Sequence, residues 1–248
     1  MKTSSQTGSS EIKYKTPNLL LTTQSEVFNK RKASKKFIKM VTIKDNINYF
    51  LNRRSINIDI GFRCSLECPK CQRQTQHRNR GIKVPGYDLT LDEIYKLSDF
   101  YKEFVFCGQL SDPIHHPHFA EILRALRLKD VGCCVHNASS HKPEKAFIEC
   151  FEANPDAEWV FGIDGLPEES HKYRINQDGE KLFRMMLEAK KILKKPPVWQ
   201  YIIFKYNEHN IEKAKAIADK HDLTLLLMHS SRWQGDDVYR PSESLNAN

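Results

Sequence analysis

The sequence predicts an α/β fold built on a parallel sheet, and three observations predict it. From Ser55 onward, strand-like runs alternate with segments of helical periodicity; the runs are mostly continuous in apolar character; and there are six of them. Continuously apolar strands belong to sheets covered on both faces, here by the intervening helices. Six units are too few for the eight-unit barrel. An open doubly wound sheet and a partial barrel therefore both fit, and periodicity does not choose between them.

Taken in order, residues 1–16 are polar and too poor in large apolar side chains to offset the entropy of ordering. Residues 17–53 scatter Leu19, Leu20, Leu21, Val27, Phe28 and Phe37 among charges, with Lys30, Arg31, Lys32, Lys35, Lys36 and Lys39 in one block. Together, 1–53 read as a basic N-terminal extension, helical or partly disordered. The first strand is Ser55 to Ile60, followed by a cysteine loop and a basic stretch through Arg80. Thr90 with Glu93 reads as a capping box, and Ile94, Leu97 and Tyr101 continue a helix. Phe104 to Cys107 is the second strand.

Pro117 suits the first turn of a helix carrying Phe119, Ile122, Leu123 and Leu126 on one stripe. Val131 to Val135 is the third strand, and Pro143 opens a helix with Phe147, Cys150 and Phe151 inward. Trp159 to Ile163 is the fourth strand. A helix from about Gly179 to Lys194 ends in lysines that complement its dipole, and Pro196 and Pro197 stop it. Val198 to Phe204, a helix marked by Ile211, Ala214 and Ala218, and Leu223 to Met228 complete the core, 54–229. Residues 230–248 mix Gly, Asp, Pro and Ser as a tail.

The chain has 248 residues, 40% apolar and 28% charged, an ordinary balance for a globular protein. No apolar run approaches a membrane span, and the first ten residues lack the apolar core of a secretory signal. Seven cysteines, an odd number, then favour a reducing, cytoplasmic setting over a disulfide framework. The net charge of +8 predicts anionic partners: nucleic acid through the N-terminal block, nucleotides, or an acidic redox protein.

Cys64, Cys68 and Cys71 carry the chemistry. Three thiols spaced C-x3-C-x2-C on one loop can hold three corners of an iron-sulfur cube and leave its fourth iron open. Structural zinc normally takes four ligands in paired units; the only nearby candidate is His77, and there is no second C-x2-C pair. Cys107, Cys133, Cys134 and Cys150 read as small buried hydrophobes. His115, His116 and His118 read as loop and helix-start residues, because their spacing does not converge on one ion.

The triplet directly after a strand resembles the signature of the radical S-adenosylmethionine (radical SAM) superfamily, and the later motifs resemble its SPASM/MoaA-like group. Ser111-Asp112-Pro113 is similar to a Gly-Glu-Pro step and His116-Pro117 to a His-Pro step; His136-Asn137-Ala138 and Gly162-Ile163-Asp164-Gly165, with Tyr173-Arg174 downstream, match further strand-end segments. The resemblance implies a partial (β/α)6 TIM-like barrel and one [4Fe-4S] cluster on Cys64, Cys68 and Cys71. It also implies S-adenosylmethionine near Ser111, Asp112, Asn137, Asp164 and Lys205, with Asn207 beside them. An electron donor of the flavodoxin or ferredoxin kind and a peptide or nucleotide-like substrate follow from it. No cysteine follows Cys150 in this sequence, so only one cluster is expected and not the auxiliary clusters of some relatives. Lys70 stands where relatives carry an apolar residue, Ser111 where they carry Gly, and Gly162 where they carry Ser. The competing expectation is a non-enzymatic, metal-stabilised nucleic-acid-binding protein, motivated by Arg63, Lys70, Arg73, Arg78 and Arg80 around the cysteines.

Overall fold

The computed structural model describes residues 54–81, 87–230, 232 and 237–242. The extension 1–53 and its basic block lie outside the described residues. Six strands form one sheet: β1 (Ser55–Asn57), β2 (Glu103–Cys107), β3 (Gly132–Asn137), β4 (Glu158–Gly162), β5 (Val198–Ile203) and β6 (Thr224–His229). Each pairs in parallel with the next, in the order β1-β2-β3-β4-β5-β6. A doubly wound sheet reverses its strand order at a switch point. This order runs one way throughout, so the architecture is the partial (β/α)6 TIM-like barrel.

The crossovers are helical: α1 (Gln72–Arg80), α2 (Leu91–Phe100), α3 (Phe119–Leu128), α4 (Glu144–Ala153), α5 (Gly179–Ile192) and α6 (Ile211–Lys220). The capping box is present: Thr90 Oγ1 accepts from Glu93 N at 3.2 Å, and Thr90 N donates to the Glu93 carboxylate at 2.7 Å. Helix α1 differs from expectation. Its sequence, QRQTQHRNR, has no apolar stripe for periodicity to detect, and it starts where Thr75 N bonds back to Cys71 O. Pro143 sits at the N-cap of α4 and Pro117 one residue before the N-cap of α3, so both lie just outside the first turn. Strand β1 is shorter than expected, although Ile58 N still donates to Val105 O at 3.0 Å.

Period-two alternation divides the strands. Phe104, Phe106, Trp159, Phe161, Trp199 and Tyr201 are fully buried under the helices, where they meet Ile94, Phe119, Ile122, Phe147, Phe151, Leu182 and Met186. Each such side chain contributes roughly 1.5–3 kcal/mol by leaving water. Trp159 is the hub, edge-on to Phe151 at 4.8 Å and stacked on Phe161 at 5.8 Å between centroids. Cys133, Cys134 and Cys150 are buried as expected; Cys107 is half-buried.

His136, on β3, approaches Cys134 Sγ at 3.7 Å, and burial pushes its pKa down to about 4. The folded value lies below the unfolded value of about 6.5, so the neutral ring's contribution is complete above that pH and is lost as pH falls toward 4. Denaturant unfolding at stepped pH is expected to show this loss in the wild type and a flatter profile in His136→Leu.

Candidate active site

The cysteine loop leaves the sheet at Ile60 and returns as α1. An antiparallel bridge between Gly61 and Asp88 fixes its exit, with Leu89 N bonded to Ile60 O and Phe62 N to Tyr87 O. Cys71 N donates to Cys68 O, and Leu66 N to Cys64 Sγ at 3.4 Å. From other parts of the chain, Glu67 N reaches Ile175 O at 3.1 Å and Asn176 Nδ2 reaches Ser65 O at 3.3 Å. Ser65 Oγ meets Ser139 Oγ at 2.8 Å, and Ser139 Oγ in turn meets His115 Nε2 at 2.8 Å. His115, in the short 3-10 turn Pro113–His115, is thus engaged by Ser65 and Ser139, and His116, which caps that turn, by Leu89 O.

Cys64, Cys68 and Cys71 are half-buried free thiols. Burial pushes Cys64 up to about 12, helped by the Asp112 charge, and Cys68 up to about 11 against the pull of Arg174. Iron would have to displace those protons, and soft sulfur donors on one loop suit it. Among the described residues no three His, Cys, Asp or Glu side chains converge as ligands of a single ion. Three thiols with no fourth ligand in a paired unit are donors that a cluster with one open iron can use.

Asp112 lies directly behind the loop, with its own N–H bonded to Arg63 O at 2.9 Å. Its buried carboxylate accepts from Ile114 N at 3.2 Å and Asn137 Nδ2 at 2.9 Å on one oxygen. On the other it accepts from Ala138 N at 2.7 Å and Ser139 N at 2.8 Å. The acid therefore locks the end of β2 to the end of β3. Asn137 Oδ1 is buried without a hydrogen-bond partner, an acceptor that a bound donor would satisfy. Ser111 is held differently: Asp59 accepts from Gln109 N, Leu110 N, Ser111 N and Ser111 Oγ at 2.9–3.2 Å. Gly108 permits this tight turn, because a Cβ there would sit 1.7 Å from Ser111 O.

At the end of β4, the fully buried Asp164 pairs with Arg174 Nε at 2.7 Å. Its Oδ1 also accepts from Ile202 N at 2.9 Å, and its carbonyl from Tyr206 Oη at 2.6 Å. Burial pushes the Asp164 carboxyl up while Arg174 opposes the shift. The guanidinium fills the space a side chain at 162 would take: a Cβ on Gly162 would lie 2.8 Å from Arg174 Nη2 and 3.4 Å from Ala138 Cβ. Gly162→Ser is expected to push Arg174 off Asp164 and cost about 1–3 kcal/mol, read as a lower denaturant midpoint. Lys205 turns away from this group toward Ser242 at 2.6 Å and Glu208 at 3.2 Å. Asn207 is buried, its amide bonded to Phe204 N and Ile202 O.

Asp112 and Asn137 thus form one bonded group whose charge is felt at Cys64, and Arg174 with Asp164 acts electrostatically on Cys68. The fold is shared with solved radical SAM enzymes. A native anSMEcpe structure with bound AdoMet has 15% identity and a TM-score of 0.57, covering 77% of this chain and 56% of that one. Streptococcus suis SuiB bound to S-adenosylmethionine has 9% identity and a TM-score of 0.59, with 80% and 47% covered. Methylornithine synthase (PylB) has 14% identity and a TM-score of 0.50, with 73% and 55% covered. This chain therefore spans about half the length of each. No family model and no curated protein matches the sequence.

Sequence reasoning missed Asp59, His115 and the segment 237–242 as parts of this rim. A carboxylate at the C-terminal end of a barrel strand was a usable signal for Asp59. For the other two there was none, because their partners lie far away in sequence.

Proposed function

We propose that this chain is a radical SAM enzyme holding one [4Fe-4S] cluster through Cys64, Cys68 and Cys71. The observation that supports it most is placement: the only closely spaced thiol triplet lies at the C-terminal rim of a six-stranded parallel barrel, where such folds do their chemistry. When bound, the cluster and S-adenosylmethionine supply one-electron cleavage of a sulfonium and a 5'-deoxyadenosyl radical that abstracts hydrogen from substrate. The protein's own residues bind and orient. The Asp112 carboxylate fixes the backbone at Ala138 and Ser139, and Asn137 offers its free acceptor. Arg174, largely buried, acts electrostatically on Cys68, and Asp164 fixes that guanidinium in place. Ser111, held by Asp59, closes the β2 side. Lys205 is engaged by Ser242 and Glu208, so a contact from it to the cofactor requires those bonds to open.

A peptide substrate is the best-supported class, since anSMEcpe has been solved with a Kp18Cys peptide and SuiB with the precursor peptide SuiA. A flavodoxin- or ferredoxin-like donor suits the chain's positive charge. Of the basic residues that motivate the nucleic-acid-binding alternative, Arg63 pairs with Asp88, Lys70 with Asp237, and Arg73 donates to Phe62 O. No helix among them is long and apolar enough to cross a membrane. Anaerobic reconstitution is expected to load about four irons per chain and to give reductant-dependent 5'-deoxyadenosine. Both are expected to be lost when the three cysteines are changed to alanine. Colourless protein that takes up zinc and no iron would refute the reading.

A further inference from the structure

Beyond β6, Arg232 and residues 237–242 are tied to the barrel. Asp237 is 2% exposed at its side chain, and its carboxylate meets Lys70 Nζ at 2.5 Å. Lys70 lies between the second and third cysteines of the triplet. Arg232 reaches the same residue through its backbone, donating from Nη1 to Lys70 O at 3.2 Å, and from Nη2 to Gln109 Oε1 at 3.1 Å. The segment is fastened at its other end too. Tyr239 O accepts from Lys205 N at 3.0 Å, and Ser242 donates from N and Oγ to the two oxygens of Glu208, each at 2.6 Å. Between these points the Tyr239 ring packs edge-on against Tyr173 at 5.1 Å and Phe204 at 6.2 Å, and Tyr239 N donates to Asp237 Oδ1 at 3.0 Å.

These contacts join the loop after β1 to the turn after β5. In the sheet, β1 hydrogen-bonds only to β2 and β6 only to β5 among the described residues, so no ladder closes the barrel between its first and last strands. The cysteine loop has no regular structure of its own between Cys64 and Cys71. Asp237 accepts from Tyr239 N on one oxygen and pairs with Lys70 on the other, which gives the tie its direction: Asp237 holds Lys70.

On the reading that this loop carries the cluster, we propose that Asp237, assisted by Arg232, is a positioning residue for it. The segment 237–242 braces the Cys68–Cys71 stretch across the open side of the barrel. The departure at Lys70 then has a role, as the attachment point of the brace.

The test uses the full chain and two readouts. In metal-free protein, amide hydrogen exchange across residues 66–71 is expected to speed up roughly tenfold in Asp237→Asn and in Lys70→Met, with the core strands unchanged. The double variant is expected to be no worse than either single one, because both remove the same interaction. In reconstituted protein, iron loss to a chelator is expected to accelerate in the same variants. Lys195→Met, which breaks the 2.5 Å pair with Glu158 at the opposite rim, is expected to change neither readout. Wild-type protein that takes up no iron would overturn the cluster reading and with it the purpose given to the brace. Wild-type iron uptake, with exchange and iron retention unchanged in Asp237→Asn, would overturn the brace alone.

Discussion

Replacing Arg174 with leucine is expected to destabilise the protein by about 3–5 kcal/mol, because it leaves a fully buried carboxylate without its counter-charge. Asp164 has no exposed side-chain surface and Arg174 only 13%, so water cannot take over the role of the guanidinium. For a domain of this size the loss corresponds to a fall of roughly 6–20 °C in the unfolding midpoint, measurable by calorimetry. Lysine is expected to restore only part of it, since an ammonium cannot reproduce the planar fork that fits against Gly162. The double variant Asp164→Asn/Arg174→Leu is expected to be more stable than Arg174→Leu alone, because the stranded charge is gone. Equal stability of the two would mean that the pair is not what Arg174 contributes.

Asp112→Ala is expected to cost at least ~3 kcal/mol, as four donors lose their acceptor at once and three of them are backbone N–H groups. Asp112→Asn keeps one acceptor oxygen but turns an amide group toward two N–H donors, so about half the loss is expected to remain. The rim should respond as well as the core. Ser139 N loses its partner, Ser139 Oγ holds both Ser65 and His115, and the Asp112 N–H holds Arg63 O. Exchange at residues 62–66 is therefore expected to rise beyond the global loss of stability, and an unchanged pattern there would show that the carboxylate serves β2 and β3 only.

Much of this architecture is legible in the sequence because its cues are local. Thr90 and Glu93 announce the start of α2 within four residues, and the stripe of Phe119, Ile122, Leu123 and Leu126 repeats at the helical period that the core requires. The spacing of Cys64, Cys68 and Cys71 is equally local, and the cluster role read from it is the one proposed above. What escapes is whatever depends on distant partners or on no pattern at all. Helix α1 is polar throughout and takes its start from the cysteine loop. Asp112 caps the turn at Pro113 by accepting from Ile114 N, as its place before a proline suggests, but its bonds to Asn137, Ala138 and Ser139, 25 to 27 residues away, have no local cue. Lys205 looks like a strand-end side chain facing the mouth, and Ser242, 37 residues on, draws it aside. Gly162 looks like a missing hydroxyl until the Arg174 guanidinium is seen in its place.

The hydrogen bonds that steady the cysteine loop come from Ser139, Asn176 and Arg232, separated from their partners by 74, 111 and 162 residues. During synthesis the thiols therefore emerge long before the groups that shape them, and local contacts alone cannot prepare a receptacle. Metal delivery to a nascent chain would meet an unformed hairpin of sulfur ligands, open to oxidation and to the wrong ion. On the cluster reading, insertion is accordingly expected to follow the docking of Ser139, Asn176 and Arg232 against the loop.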